Sequence, residues 1–254
     1  MIRYFFEVSY NGTAFHGWQK QPNAVTVQEL IEQALFTFFR TNIEIVGSGR
    51  TDTGVHCRQQ FFHADFQNEI KSIEQALFRL NRILPAEIAL LNIYEVEPES
   101  HARFDALDRY YEYIITTQKN PHLIQLAHLF QKPLDWENMN SAAALLKGEH
   151  DFESFSKVKT DVNTFICTIF EAEWKDRGAE KVFCIRGNRF LRGMVRAIVG
   201  TLLEVGKGNI SVEDFAQIIA NKDRKKAGMA APPEGLYLTQ VNYPKGFFKQ
   251  KNIE

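Results

Sequence analysis

Between Tyr4 and Val96 the sequence carries one complete alternation of strand and helix signals, and that order limits the possible folds more than any composition figure does. Tyr4 to Tyr10 reads as a strand closed by the turn Asn11-Gly12. A helix opens at Thr26, whose hydroxyl has the capping-box spacing to Glu29, and Val27, Leu30, Ile31, Ala34, Leu35 and Phe38 form one apolar stripe. The β-branched run Ile43-Glu44-Ile45-Val46 predicts a second strand and Gln60 to Phe66 a third. A second helix starts at Ser72 with Gln75 in the answering position, turns Ile73, Ala76, Leu77, Leu80, Ile83 and Leu84 inward, and stops at Pro85. Glu87 to Val96 follows as a strand. This is the split βαβ order, which predicts an antiparallel sheet with both helices on one face.

After a linker around Glu97-Pro98-Glu99-Ser100 a similar order returns. Tyr110 to Thr116 is a strand, Asp135 to Leu146 a helix, Thr164 to Trp174 and Lys181 to Arg186 a pair of strands. A helix begins near Phe190, and Leu236 to Tyr243 closes as a strand. The expectation is an α/β chain of the α+β type with two related halves, 1–99 and 100–254, alike in element order rather than in residues. At 254 residues either one large or two small domains would bury a sizeable core.

The chemistry concentrates in Val46-Gly47-Ser48-Gly49-Arg50-Thr51-Asp52-Thr53-Gly54-Val55-His56. Its three glycines allow positive φ or close approach to a ligand, and Arg50 and Asp52 bring opposite charges into one small space. One reading is a reactive carboxylate at a strand end; the other is an Asx-turn in which Asp52 caps its own backbone and Arg50 is solvated. A phosphate loop is excluded, since no Gly-Lys-Ser/Thr follows, and a dinucleotide fingerprint fails because a strand, not a helix, comes next.

Other stretches admit two readings each. Phe15 to Pro22 mixes Trp18 with amides and Lys20, suiting either base stacking or anchorage on the core. His101-Ala102-Arg103-Phe104-Asp105 suits an exposed contact surface, or a turn with Phe104 tucked inward. Tyr111 and Tyr113 share one strand face, for stacking on a flat ring or for packing. At helical spacing Arg189, Arg192 and Arg196 form a basic stripe, and Gly193, Ala197 and Gly200 a small-residue one; the stripe suits the sheet surface beside a cleft between the halves, and a solvated arginine face is the default. The runs Lys222 to Lys226 and Lys245 to Lys251 are short and partly tail-like, suited to assisting with phosphates or simply to soluble surface.

A net charge of −1 gives no global pull toward nucleic acid, so any such role rests on local patches. Cys57, Cys167 and Cys184 form no Cys-x-x-Cys pair and read as inert thiols of a reducing compartment. No metal-ligand spacing and no Gly-x-Ser-x-Gly elbow occurs. Glu7 interrupts the first apolar run and no stretch reaches membrane-spanning length, so a cytoplasmic protein without a membrane segment is expected.

Taken together these pieces resemble the tRNA pseudouridine synthase A family. Gly49-Arg50-Thr51-Asp52-Thr53-Gly54-Val55-His56 is similar to its signature loop, which usually has Ala at the position of Thr53. Tyr10-Asn11-Gly12-Thr13, Gly17-Trp18-Gln19, Thr26-Val27-Gln28, His101-Ala102-Arg103-Phe104, Gly148 to Phe152, Met194-Val195-Arg196 with Val199-Gly200, and Ala231 to Leu238 look like family blocks in family order. The resemblance implies two ferredoxin-like βαββαβ halves joined into a mixed, mostly antiparallel sheet around a central cleft, with helices on the outer face, usually as a homodimer. It implies isomerisation of uridine to pseudouridine at positions 38–40 in the anticodon stem-loop of tRNA, with neither cofactor nor metal. By the same resemblance Asp52 is the nucleophile, Arg50 assists base flipping, Tyr111 stacks on the uracil and Arg196 pairs with the carboxylate. His101, Arg103, Phe104 and Arg192 are the further substrate-binding candidates. Rivals from other classes are a noncatalytic tRNA-binding protein, a nucleoside hydrolase and a plain structural domain.

Overall fold

The computed structural model describes residues 1–157 and 162–248, so the end of the basic run Lys245 to Lys251 lies outside the described residues. The chain divides into two compact units: Met1–Leu107 together with the segment from Leu238 on, and Asp108–Tyr237. In the first, β1 (Ile2–Tyr10), α1 (Val27–Phe39), β2 (Val46–Gly47), β3 (His56–Phe66), α2 (Ile73–Ile83) and β4 (Ile88–Val96) follow one another in the expected order. β1 lies between β4 and β3, and β2 pairs with β3, every pairing antiparallel. That arrangement is a ferredoxin-like βαββαβ sheet.

Both faces of this sheet are covered. On one, Phe6 stacks on Phe62 at 4.9 Å, Phe39 of α1 meets Phe66 edge-on, and Val27, Ile31, Ala34 and Leu35 of α1 are buried. Asn81 of α2 clamps β4 by bonding both the N–H and the carbonyl of Leu90 at 2.8 Å. On the other face Phe5 and Phe61 meet Tyr243 and Phe248, returning from the far end of the sequence. Two expectations need correction. The strand over Ile43–Val46 shrinks to Val46–Gly47, because α1 side chains take the backbone instead: Ile45 donates to Glu32 Oε1 and accepts from Gln28 Nε2. Thr26 caps no backbone group, and its hydroxyl is buried without a partner among the described residues.

The second unit holds β5 (Asp108–Thr116), β6 (His128–Leu129), α3 (Trp136–Ala144), β7 (Gly148–Asp151), β8 (Ile166–Arg177), β9 (Glu180–Gly187), α4 (Met194–Gly206) and α5 (Val212–Asn221). Its strands run β5-β9-β8-β7, antiparallel throughout, with β6 parallel to β5. Asn140 of α3 clamps the backbone of Trp174 in β8 much as Asn81 does in the first unit. α4 starts at Met194 rather than near Phe190, since Gly193, at φ 72°, sits left-handed at its N-cap. α5, not anticipated, opens on a capping box of Ser211 and Asp214. β10 (Leu236–Asn242) begins in this unit and continues beside β3 in the first, where Val241 N–H donates to Gln59 Oε1 at 3.2 Å. Among the described residues no helix is long and apolar enough to cross a membrane.

Candidate functional site

Asp52 lies half-buried in the loop between β2 and β3, and the segment joining β1 to α1 braces that loop. Trp18 N–H donates to the Thr51 carbonyl at 3.2 Å, and Gly54 N–H to the Phe15 carbonyl at 3.2 Å. The same segment is tied to α1 by bonds from Val27 N–H to Gly17 and from Gln28 N–H to Trp18. Two glycines allow the close approach. A Cβ on Gly12 would lie 2.0 Å from the Val55 carbonyl oxygen, and one on Gly17, at φ +86°, 2.4 Å from that of Thr51. Trp18 is 2% exposed and fills the space over Gly47, so it anchors the loop rather than offering a stacking face.

Below the loop runs a buried polar chain. The Tyr10 hydroxyl bonds Thr51 Oγ1 at 2.8 Å and donates to Gln60 Oε1 at 3.0 Å, while Gln60 Nε2 donates to the Gly49 carbonyl at 3.0 Å. His56 Nδ1 accepts from Gly12 N–H at 3.1 Å. These bonds fix the loop from Gly49 through Thr51, immediately before Asp52, and leave Arg50 exposed. A reactive carboxylate needs such a frame, because its aim is set by groups that do not themselves react. Tyr10 and Gln60 carry no mark in the sequence as parts of the site, whereas His56 closes the Gly49–His56 stretch singled out there. Only the block from Tyr10 to Thr13 hinted at them, and a separation of some forty residues gave no sign that it meets Thr51. Of the three glycines, only Gly54 takes positive φ, and around Gly49 a Cβ would meet open space.

In the same unit His101, Arg103 and Phe104 come together at one corner. His101 Nδ1 accepts from the Arg103 and Phe104 N–H groups, the Phe104 ring lies 4.3 Å from the imidazole, and the Arg103 guanidinium sits over that ring. Phe104 is 74% exposed, which excludes the tucked-in alternative. The corner is tied to β3 through Ala102 N–H, which donates to His63 Nδ1, and His63 is paired with Val46, where the Asp52 loop begins. Burial, reinforced by the charges of Arg3 and His101, pushes His63 down to about 4, so it accepts that bond as a neutral ring.

The second unit carries Tyr111, Arg192 and Arg196. Tyr111 is half-buried on β5 with its ring edge-on to Phe190 at 5.1 Å, whereas Tyr113 on the same strand is fully buried and donates to the Pro232 carbonyl. Arg196, half-buried in the first turn of α4, donates from Nε to the Ala231 carbonyl at 2.7 Å, and Ala231 N–H returns a bond to its carbonyl. Arg192 is exposed and precedes the helix, as does Arg189, so the expected helical stripe of three arginines does not form. The small face of α4 receives the chain at 228–231: a Cβ on Gly200 would lie 1.7 Å from the Met229 carbonyl oxygen.

Cys57, Cys167 and Cys184 are buried, and burial raises all three thiols, Cys167 to about 11, so none is a nucleophile at neutral pH. Among the described residues no group of three or more His, Cys, Asp or Glu is placed to hold a metal ion.

Comparison with known proteins adds chain-wide matches. A family model described as tRNA pseudouridine synthase matches residues 7–105 and 142–244. A tRNA pseudouridine synthase A of Bacteroides fragilis is 48% identical over 248 residues, covering 97% of this chain and 98% of its own. Proteins of the same name from Parabacteroides distasonis and Bacteroides thetaiotaomicron are 48% and 47% identical; they cover 98% and 99% of this chain, and 98% and 94% of their own lengths.

Proposed function

Since the chain belongs to the tRNA pseudouridine synthase A family and is a pseudouridine synthase, we propose that it isomerises uridine at positions 38–40 of the tRNA anticodon stem-loop with Asp52 as nucleophile. The observation that carries this reading is the frame around Asp52. A half-buried carboxylate sits on a loop held by backbone bonds from Phe15 and Trp18 and by the Tyr10–Thr51–Gln60 chain. The reaction breaks the bond from C1′ to N1 and forms one from C1′ to C5; the C5 proton departs and N1 gains one. Atoms and electrons balance, so neither a cofactor nor a hydrolytic water is required. A carboxylate suffices as nucleophile, with one cation as its partner. A hydrolytic glycosidase would want a second carboxylate to activate water.

The remaining roles follow the family. Arg50, exposed beside Asp52, guards the space vacated by the flipped nucleotide, and Tyr111 stacks on the uracil. Arg196 supplies the cation, its guanidinium aimed by the Ala231 carbonyl. The corner of His101, Arg103 and Phe104, with Arg192, contacts RNA through an exposed ring and fixed cations. The enzyme works in the cytoplasm as a homodimer. The test is purified protein incubated with unmodified tRNA and pseudouridine mapped by position. Conversion at 38–40 is expected, and Asp52→Asn should bind tRNA, fold normally and convert nothing. Free uracil among the products would mean hydrolysis, conversion confined to other arms would overturn the assigned positions, and an unimpaired Asp52→Asn would overturn the nucleophile.

A further inference from the structure

The first unit carries a second concentration of arginines away from the Asp52 loop. Arg40, Arg79 and Arg82 line one open groove between α1 and α2, together with Phe38, Phe78 and Ile83. No carboxylate lines it, and none of the ion pairs among the described residues engages these three guanidiniums. In a chain of 30 basic and 31 acidic residues, that is local segregation of charge. Phe78 is 59% exposed with the Arg82 guanidinium 5.7 Å from its ring centroid, and Ile83, expected inward, is 41% exposed on the rim. Arg40 adds a further sign: it ends α1 at φ 57°, a left-handed position that glycine occupies with less strain, yet it brings a charge to the groove.

We infer that this groove is a second tRNA-binding surface, taking backbone phosphates of a helical arm distant from the target uridine. The inference rests on the proposed tRNA substrate. Guanidinium forks match phosphate oxygens, and exposed aromatic rings beside cations give a sugar or an unpaired base a face to lie on. The groove sits at the opposite end of α1 from the residues that brace the Asp52 loop, and a helix of 13 residues puts about 20 Å between them. A single nucleotide cannot bridge that separation; a folded RNA can. An acidic protein would meet the same charges, but nothing else about the groove selects a peptide.

The experiment compares the wild type with Arg79→Glu/Arg82→Glu on full-length tRNA and on an isolated anticodon stem-loop. On full-length tRNA the variant should raise KM about tenfold near 0.1 M salt, keep kcat, and flatten the dependence of log K on log salt by about 1.5. On the stem-loop the two proteins should behave alike. An unchanged KM for full-length tRNA, or equal losses on both substrates, overturns the inference. So does a changed sedimentation coefficient of the free variant, which would make the groove a contact between copies of this chain. Lack of turnover by the wild type would instead refute the proposed activity, so the two failures are separable. Arg79→Lys/Arg82→Lys keeps the charges and should recover most of the affinity, setting charge apart from misfolding.

Discussion

Asp52 is carried by a loop and Arg196 by a helix, and the two units hold these side chains by different means. In the first unit Asp52 has no regular element beneath it, so the backbone around it is pinned by another backbone, with Gly12 and Gly17 making room for the contact. In the second, α4 fixes the backbone by itself, and what needs fixing is a long side chain, which the Ala231 carbonyl holds through Nε. A short carboxylate has few rotamers and its position is a matter of main-chain placement. A guanidinium on a flexible stem must be aimed by a hydrogen bond, since its rotamer freedom is worth about 2 kcal/mol.

That contrast can be broken most easily at Gly12. A methyl group there meets the Val55 carbonyl, so Gly12→Ala should lower the melting temperature by on the order of 10 °C and kcat about 100-fold by displacing Asp52. Scanning calorimetry and single-turnover kinetics check both. In the second unit, Arg196→Lys keeps the charge and loses the directed Nε bond; it should cut kcat about 10- to 100-fold with little change in melting temperature. If it proved as destabilising as Gly12→Ala, the distinction between main-chain and side-chain control would fail.

His63 links the comparison to pH. Its folded value near 4 lies below the ordinary 6.5, so the unfolded chain binds a proton that the folded chain refuses. Its contribution is complete above about 6.5 and is lost as pH falls toward 4, by about 1.4 kcal/mol per unit once the unfolded ring is charged. His63→Asn, which keeps an acceptor near the Ala102 N–H, should flatten that part of a urea-denaturation series. Tyr10→Phe removes the hydroxyl between Thr51 and Gln60 and should lower kcat about tenfold at unchanged KM, less than Arg196→Lys, because backbone bonds still hold the loop. The smallest effect is expected at Thr26, where the buried hydroxyl has no partner among the described residues. Thr26→Val should be neutral or raise stability by up to about 1 kcal/mol.

How far the sequence could be read follows from the range of the forces involved. Strand alternation and helical stripes are local, so the first strand-helix series is legible, as is the second apart from β6, β7 and α5, and Ser72 caps Gln75 as its spacing predicts. Thr26 has the same spacing, yet burial of its hydroxyl by the rest of the fold overrode it. The sequence pattern puts Gly193 on a small helical face, but its left-handed conformation ends the coil before α4, and the arginine stripe is lost with it. In the candidate site, Asp52 and the corner at 101–104 stood out by residue type. The Tyr10–Thr51–Gln60 chain did not, because it exists only once β1 and β3 lie side by side. Likewise Phe248 lies in a basic, tail-like stretch of the sequence, whereas in the fold its ring stacks on Phe61.

The route of the chain through β10 has a consequence during synthesis. The segment from Leu238 on belongs with Met1–Leu107, while Asp108–Tyr237 is continuous. A ribosome making this protein therefore delivers everything the second unit needs before it supplies the strand and aromatic rings that finish the first. Until then Phe5 and Phe61 lack the Tyr243 and Phe248 rings that cover their face of the sheet. The half that emerges earliest is the last to become whole.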